Sequence, residues 1–247
     1  PTWWATPGER ARLAGMACEF LSVKVFDPVQ GLVITARHRH LVAAQACFPL
    51  LGLDLSHYDN WTSLILYPDT FIPDNVPLYE PLDAAGAVVR PGPHSGLSLP
   101  NGPVLLSWAD VELDLATREG YAVNVILHEM AHQLDVRSGG FDGMPRLHPG
   151  MSERAWIRDF TRAFRDMVAL VDDDHPEPPL DPYAADSPAE FFAVAVEAFF
   201  ITPDWLLEDY PEVYGHLCDY FRQDPVARMD AMAGEDPRWD SPRPQDH

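Results

Sequence analysis

The pentapeptide His128–His132, H-E-M-A-H, constrains this chain most, because it places two histidines four positions apart around a glutamate. Apolar residues that recur every three to four positions predict a helix over Ala116–Val136. Positions i and i+4 share one helical face, so both imidazoles can reach one ion. Zinc accepts neutral imidazole nitrogens, and a catalytic zinc site has three protein ligands plus water. Glu129, next to the first histidine, is placed to take a proton from the zinc-bound water.

The alternative interpretation is that these three side chains make ordinary polar contacts on a half-buried helix. The H-E-x-x-H pattern arises by chance in roughly 2% of chains of this composition. A chance match often falls in a loop, whereas this motif lies in the apolar segment V-N-V-I-L-H-E-M-A-H-Q-L. The context therefore favours a metal site.

The third ligand has to come from another part of the chain. The extended motif H-E-x-x-H-x-x-G-x-x-H needs a glycine and a histidine where this chain has Asp135 and Ser138, so that class is excluded. A glutamate from a later helix remains, as in sites with two histidines and one glutamate. Asp135 could instead accept the far ring N–H of a ligand histidine, or be solvated at the helix end.

Two glutamates on the helix predicted over Ser187–Ile201 are candidates for the third ligand. Glu190 and Glu197 lie seven residues apart and therefore on one face. Glu190 also fits a capping box with Ser187, and Glu197 is an isolated charge in A-V-A-V-E-A-F-F. The residues alone leave the choice open.

The charge of the chain excludes several functions. With 38 acidic and 17 basic side chains, the net charge is −21, which argues against direct binding of nucleic acid or an anionic membrane surface. No apolar run approaches the roughly 20 residues that span a bilayer. Cys18, Cys47 and Cys218 form no C-x-x-C pair, so we expect buried thiols in the cytoplasm.

Other segments are assigned from periodicity and from turn residues. His38 and His40 lie on different faces of a predicted helix, so we expect them at the surface. The remaining predictions are helix over most of Glu9–Cys47, a strand at Thr62–Tyr67, a surface loop at Pro81–Pro103 with a short strand at Ala87–Arg90, a strand at Val104–Trp108, a helix at Ser152–Leu170, an acidic loop at Asp172–Pro182, and short helices at Pro203–Asp209 and Pro211–Gln223.

Two long blocks of sequence resemble the Mlc titration factor A family of bacterial zinc metallopeptidases, which are also described as glucose-regulated peptidases or anti-repressors of the glucose repressor. The blocks are N-V-I-L-H-E-M-A-H-Q-L-D-V-R-S-G-G-F-D-G-M-P and D-P-Y-A-A-D-S-P-A-E-F-F-A-V-A-V-E-A-F-F. The resemblance covers about Glu9 to Gln223. These blocks are much more specific than a bare H-E-x-x-H motif.

The resemblance implies roles for individual residues. It makes Glu190 the third metal ligand, beside His128 and His132, and associates Tyr183 with catalysis. Glu197 then supports the site from behind or packs within its helix. The implied fold is α+β of the zincin type, mostly helical with a small sheet, in a single domain over residues 1–233 followed by a disordered tail over residues 234–247.

The resemblance also implies an activity: zinc-dependent hydrolysis of peptide bonds, aminopeptidase-like on short peptides, with one Zn²⁺ per chain. We expect Val104–Trp108 to be an edge strand that pairs with an extended peptide substrate. The alternative function is a regulatory protein that sequesters a transcriptional repressor, with a structural or vestigial zinc. Retention of the base Glu129 favours the enzyme, because a structural zinc site does not need it.

Overall fold

The computed structural model describes residues 5–71, 94–99, 102–116 and 123–235, which form a mostly helical α+β structure with a small mixed sheet. The strands are β1 (Val25–Pro28), β2 (Ser63–Tyr67), β3 (Gly96–Ser98) and β4 (Val104–Ser107). The helices are α1 (Pro7–Val23), α2 (Ala36–Cys47), α3 (Trp108–Ala116), α4 (Val125–Asp135), α5 (Glu153–Asp172), α6 (Pro188–Ile201), α7 (Pro203–Asp209), α8 (Pro211–Phe221) and α9 (Pro225–Glu235).

The sheet has the strand order β1-β2-β4-β3, with β3 antiparallel to β4 and the other pairs parallel. The prediction that Val104–Trp108 is an edge strand is wrong, because β4 lies between β2 and β3 and all four of its residues are buried. Trp108 belongs to α3. An uninterrupted apolar run such as V-L-L is typical of a strand buried on both faces, and this explains the interior position.

One edge of the sheet is a strand that the sequence did not predict. Gly96–Ser98 pairs with β4 inside the stretch Pro81–Pro103, which was predicted to be a surface loop. The strand is three residues long and contains glycine and serine, so its β propensity is too weak to mark it. The strand predicted at Ala87–Arg90 lies outside the described residues.

The helix that carries the histidine motif begins later than predicted. The predicted helix started at Ala116, but that residue ends α3, and Asn124 caps α4 by accepting a hydrogen bond from the Leu127 N–H at 3.0 Å. Asparagine favours this cap position because its side chain satisfies a free helical N–H. The predictions for α5, α6, α7 and α8 are confirmed to within two residues, whereas β1 and α9 were not predicted.

The most apolar helix, α6, forms the centre of the fold. Every residue from Phe191 to Phe200 is buried, as expected for a helix that is hydrophobic on all sides. Helix α4 packs against α6 and also contacts β3. The helix with both motif histidines is therefore held between the central helix and the edge of the sheet.

Several predictions about individual residues need correction. His38 is buried rather than exposed, because its ring packs on Trp108 and its Nδ1 accepts a hydrogen bond from the Thr35 N–H. Cys47 is buried as expected, but Cys18 is exposed on α1. Helix α9 extends to Glu235, past the predicted start of the tail, and the rest of that tail lies outside the described residues.

Within the described ranges, no helix is long and apolar enough to span a membrane.

Candidate metal centre

Helices α4 and α6 bring two histidines and a glutamate together. The Nε2 atoms of His128 and His132 are 3.1 Å apart. The Glu190 Oε2 atom lies 2.9 Å from the first of these nitrogens and 3.3 Å from the second. All three groups are at least largely buried, and Glu190 sits in the first turn of α6. The structure thus places three potential ligand atoms at one point.

These distances fit a tetrahedral cation site. Ligands bound to zinc at about 2.0–2.2 Å are separated by roughly 3.3–3.5 Å, slightly more than the separations seen here. A carboxylate oxygen and two imidazole nitrogens this close together need a proton or a cation between them. The donor set of two imidazoles and one carboxylate is the one found at catalytic zinc sites with an open fourth position.

Glu197 is the group that orients the first histidine. Its Oε1 lies 2.8 Å from His128 Nδ1, and its Oε2 accepts a hydrogen bond from the Asn124 N–H. With a proton held on Nδ1 by Glu197, Nε2 is the nitrogen at which a metal ion would replace the proton shared with Glu190. Burial on its own would lower the pKa of His128, but the carboxylates on its two nitrogens raise it well above the ordinary value.

The structure also separates the two interpretations of Glu190. The Ser187 hydroxyl accepts a hydrogen bond from the Glu190 N–H at 3.2 Å, so Ser187 caps α6. The Glu190 carboxylate does not return to the cap, as a capping box would require, and instead faces the histidines. Burial would raise its pKa, but His132 and His128 lower it below the ordinary range.

Glu129 is buried beside this cluster and lines a cavity of about 360 Å³. Its Oε2 has no hydrogen-bond partner among the described residues, and burial raises the pKa of the carboxyl group. Gly96 of β3 lies against it, since a Cβ at position 96 would be only 2.3 Å from Glu129 Oε1. Sequence reasoning missed Gly96, because nothing distinguishes one glycine in a Pro/Gly-rich stretch.

Tyr183 lies at the mouth of the same cavity, with its ring 5.8 Å from the His128 ring. The side chain is 40% exposed. Partial burial, and then the charges of Glu190 and Glu129, raise the pKa of the phenol. The hydroxyl therefore stays protonated at neutral pH and can donate a hydrogen bond.

Neither expectation for Asp135 is met, because it is buried rather than solvated at the helix end, and no hydrogen bond joins it to His132 among the described residues. Its Oδ2 accepts a hydrogen bond from the Gly143 N–H at 2.9 Å, because the loop after α4 folds back over the end of that helix. His132 Nδ1 is buried without a hydrogen-bond partner in the described part of the chain. Burial raises the pKa of Asp135 to about 7. The loop that it anchors also places Phe141 against His132, with the rings 5.7 Å apart.

The sequence of this chain is similar to those of a family of metallo-peptidases. Residues 4–222 match the model of a family described as glucose-regulated metallo-peptidase M90. The chain is 34% identical to Mlc titration factor A of Serratia proteamaculans over 92% of this chain and 85% of that protein. The same identity holds for Mlc titration factor A of Yersinia enterocolitica, over 96% of this chain and 86% of that protein.

Proposed function

This chain belongs to the glucose-regulated metallo-peptidase M90 family, and on that premise we propose that it is a zinc-dependent peptidase acting on the amino ends of short peptides. The observation that carries the proposal is the meeting of His128, His132 and Glu190 around one point, beside the buried carboxylate of Glu129, whose Oε2 has no hydrogen-bond partner among the described residues. A site that only had to stabilise the fold would not need that carboxylate.

His128, His132 and Glu190 would hold the zinc ion. When bound, zinc polarises the scissile carbonyl and lowers the pKa of a water molecule. Helix α4 supplies the histidines and the later helix α6 supplies the glutamate, which is the arrangement that the zincin-type fold implies. Glu197 keeps His128 in the tautomer that leaves Nε2 available as a ligand.

Glu129 carries out the proton transfers. Its carboxylate takes a proton from the attacking water and then gives that proton to the leaving amine. Because burial raises its pKa, the carboxylate is a stronger base than an exposed glutamate. The Tyr183 hydroxyl donates a hydrogen bond to the oxyanion that develops on the carbonyl.

The cavity favours a substrate with a positive end. Asp181 and Glu129 line it, whereas the carboxylate of Glu197, which also lines it, is bonded to His128 and to the Asn124 N–H. A free peptide amino terminus is a compact cation that such a surface attracts. Strand β3, an edge of the sheet that contacts α4, is placed to pair with an extended peptide, a role that β4 cannot fill from its interior position.

Metal analysis combined with a substrate panel tests this proposal. We expect one zinc per chain, hydrolysis of fluorogenic aminoacyl and short-peptide substrates, loss of activity with a chelator, and recovery with zinc. Glu190→Ala should lose both metal and activity. Glu153→Ala, which removes a first-turn glutamate from the exposed start of α5, is the matched control. Unchanged metal content in Glu190→Ala would contradict the ligand assignment and favour Glu197.

A second candidate function is suggested by the relatives' name, Mlc titration factor A. On this alternative the chain sequesters a transcriptional repressor, and the metal is structural. Either function fits a cytoplasmic protein with three unpaired cysteines. A zinc-loaded protein that is inert on the whole panel, but binds a repressor, would favour this alternative.

A further inference from the structure

A second cavity, of about 200 Å³, lies apart from the candidate metal centre. It shares no lining residue with the cavity that contains Glu129. We refer to it as the basic cavity, because it is lined by Arg137, Arg146, His57 and His148, together with Leu147, Pro149 and Tyr220. No carboxylate is among these lining residues.

The concentration of basic groups is unexpected in this chain, which has 17 lysines and arginines and a net charge of −21. Four arginines elsewhere in the described residues are paired with carboxylates. No salt bridge to Arg137 or Arg146 is found in that part of the chain. His57 Nδ1 also lies 3.6 Å from the largely exposed carboxylate of Asp54. Among the residues that the structure describes, no ion pair therefore neutralises the two guanidinium charges.

The positions of several lining groups are fixed by their contacts. Arg137 donates to the Ser56 carbonyl. His148 Nε2 bonds to the Tyr220 carbonyl at 2.8 Å, and its ring stacks on the Tyr220 ring at 5.3 Å. These contacts hold Arg137 and His148 in place before any ligand arrives, which reduces the entropy lost on binding, whereas Arg146 is exposed.

We infer that the basic cavity binds the phosphate group of a small phosphate monoester. Guanidinium groups bind phosphate through paired, charge-assisted hydrogen bonds. Two arginines carry the two positive charges that balance a dianion, whereas one arginine is sufficient for a carboxylate. The cavity is smaller than the roughly 300–1,000 Å³ of pockets that hold drug-sized molecules. Leu147, Pro149 and Tyr220 give the organic part of a small ester an apolar wall.

Isothermal titration calorimetry with glycerol 3-phosphate tests this inference, with glycerol and acetate as the uncharged and carboxylate controls. We expect saturable binding of one glycerol 3-phosphate per chain, no binding of glycerol, and acetate binding weaker by about tenfold or more. Arg146→Gln should weaken glycerol 3-phosphate binding by about tenfold or more. Arg154→Gln, which changes an exposed arginine of α5 outside the cavity, should leave it unchanged.

Phosphate could also bind at the candidate metal centre, and Glu190→Ala separates the two sites. Binding at the basic cavity should persist in Glu190→Ala. The inference is overturned if the wild-type protein does not bind glycerol 3-phosphate, if Arg146→Gln binds it as tightly as the wild type, or if acetate binds equally well. Loss of binding in Glu190→Ala alone would place the phosphate on the metal and also overturn it.

Discussion

At the scale of single residues, two glutamates on one face of α6 contact opposite sides of the same imidazole. Glu190 faces His128 Nε2, and Glu197 faces Nδ1 of the same ring. Helical spacing predicted that both would lie on one face, but it could not say which would meet the histidines. That choice depends on how α4 packs against α6, which is a tertiary contact without a local sequence signal.

The first prediction concerns Glu197. Glu197→Ala should weaken zinc binding by roughly 10–100-fold, because His128 loses the carboxylate that fixes its tautomer. Glu197→Gln, which keeps an oxygen that can accept the Nδ1–H, should have a smaller effect. Competition with a chromophoric chelator measures the affinity, and Glu153→Ala is the control. An unchanged zinc affinity in Glu197→Ala would show that the contact does not support the metal site.

Among the secondary-structure elements, the helices were easier to predict than the strands, because residues typical of helix starts mark where they begin. Ser187 and Pro188 mark the start of α6, and Ser152 marks the start of α5. Strand β3 has no such signal, because only its pairing with β4 makes it a strand. Strand β3, whose Gly96 lines the cavity beside Glu129, could therefore not be predicted from the sequence.

The second prediction concerns this strand. Gly96→Ala should lower hydrolytic activity by about 100-fold, because the new methyl group would displace the Glu129 carboxylate by about an ångström or more. The stability should also fall, since the added methyl group would lie 2.7 Å from Glu129 Cγ as well as against the carboxylate, and this side chain is buried. Enzyme assays and thermal unfolding of the same samples measure both effects.

Gly15→Ala is the control for this variant, because a Cβ at position 15 of α1 meets no atom within 4 Å. It should leave activity at the wild-type level. Wild-type activity in Gly96→Ala would mean that the packing of β3 does not fix the position of Glu129.

At the scale of the whole molecule, the charge of −21 has a consequence for the rate of substrate capture. We predict that a cationic peptide is hydrolysed with a higher kcat/KM than an anionic peptide of equal length. The ratio should fall as ionic strength rises from about 0.01 M to 1 M, because the screening length shrinks from about 30 Å to 3 Å. A ratio that does not depend on salt would show that specific contacts set the preference.

Substitution of Glu129 by glutamine tests whether this residue is the base of a zinc peptidase. This variant nearly preserves the size of the side chain and leaves His128, His132 and Glu190 unchanged. Zinc content and kcat/KM for a fluorogenic substrate should be measured on the same preparation, beside the wild type. We predict a full zinc content with hydrolysis lowered by at least about 100-fold. Full hydrolysis by zinc-loaded Glu129→Gln would contradict that role.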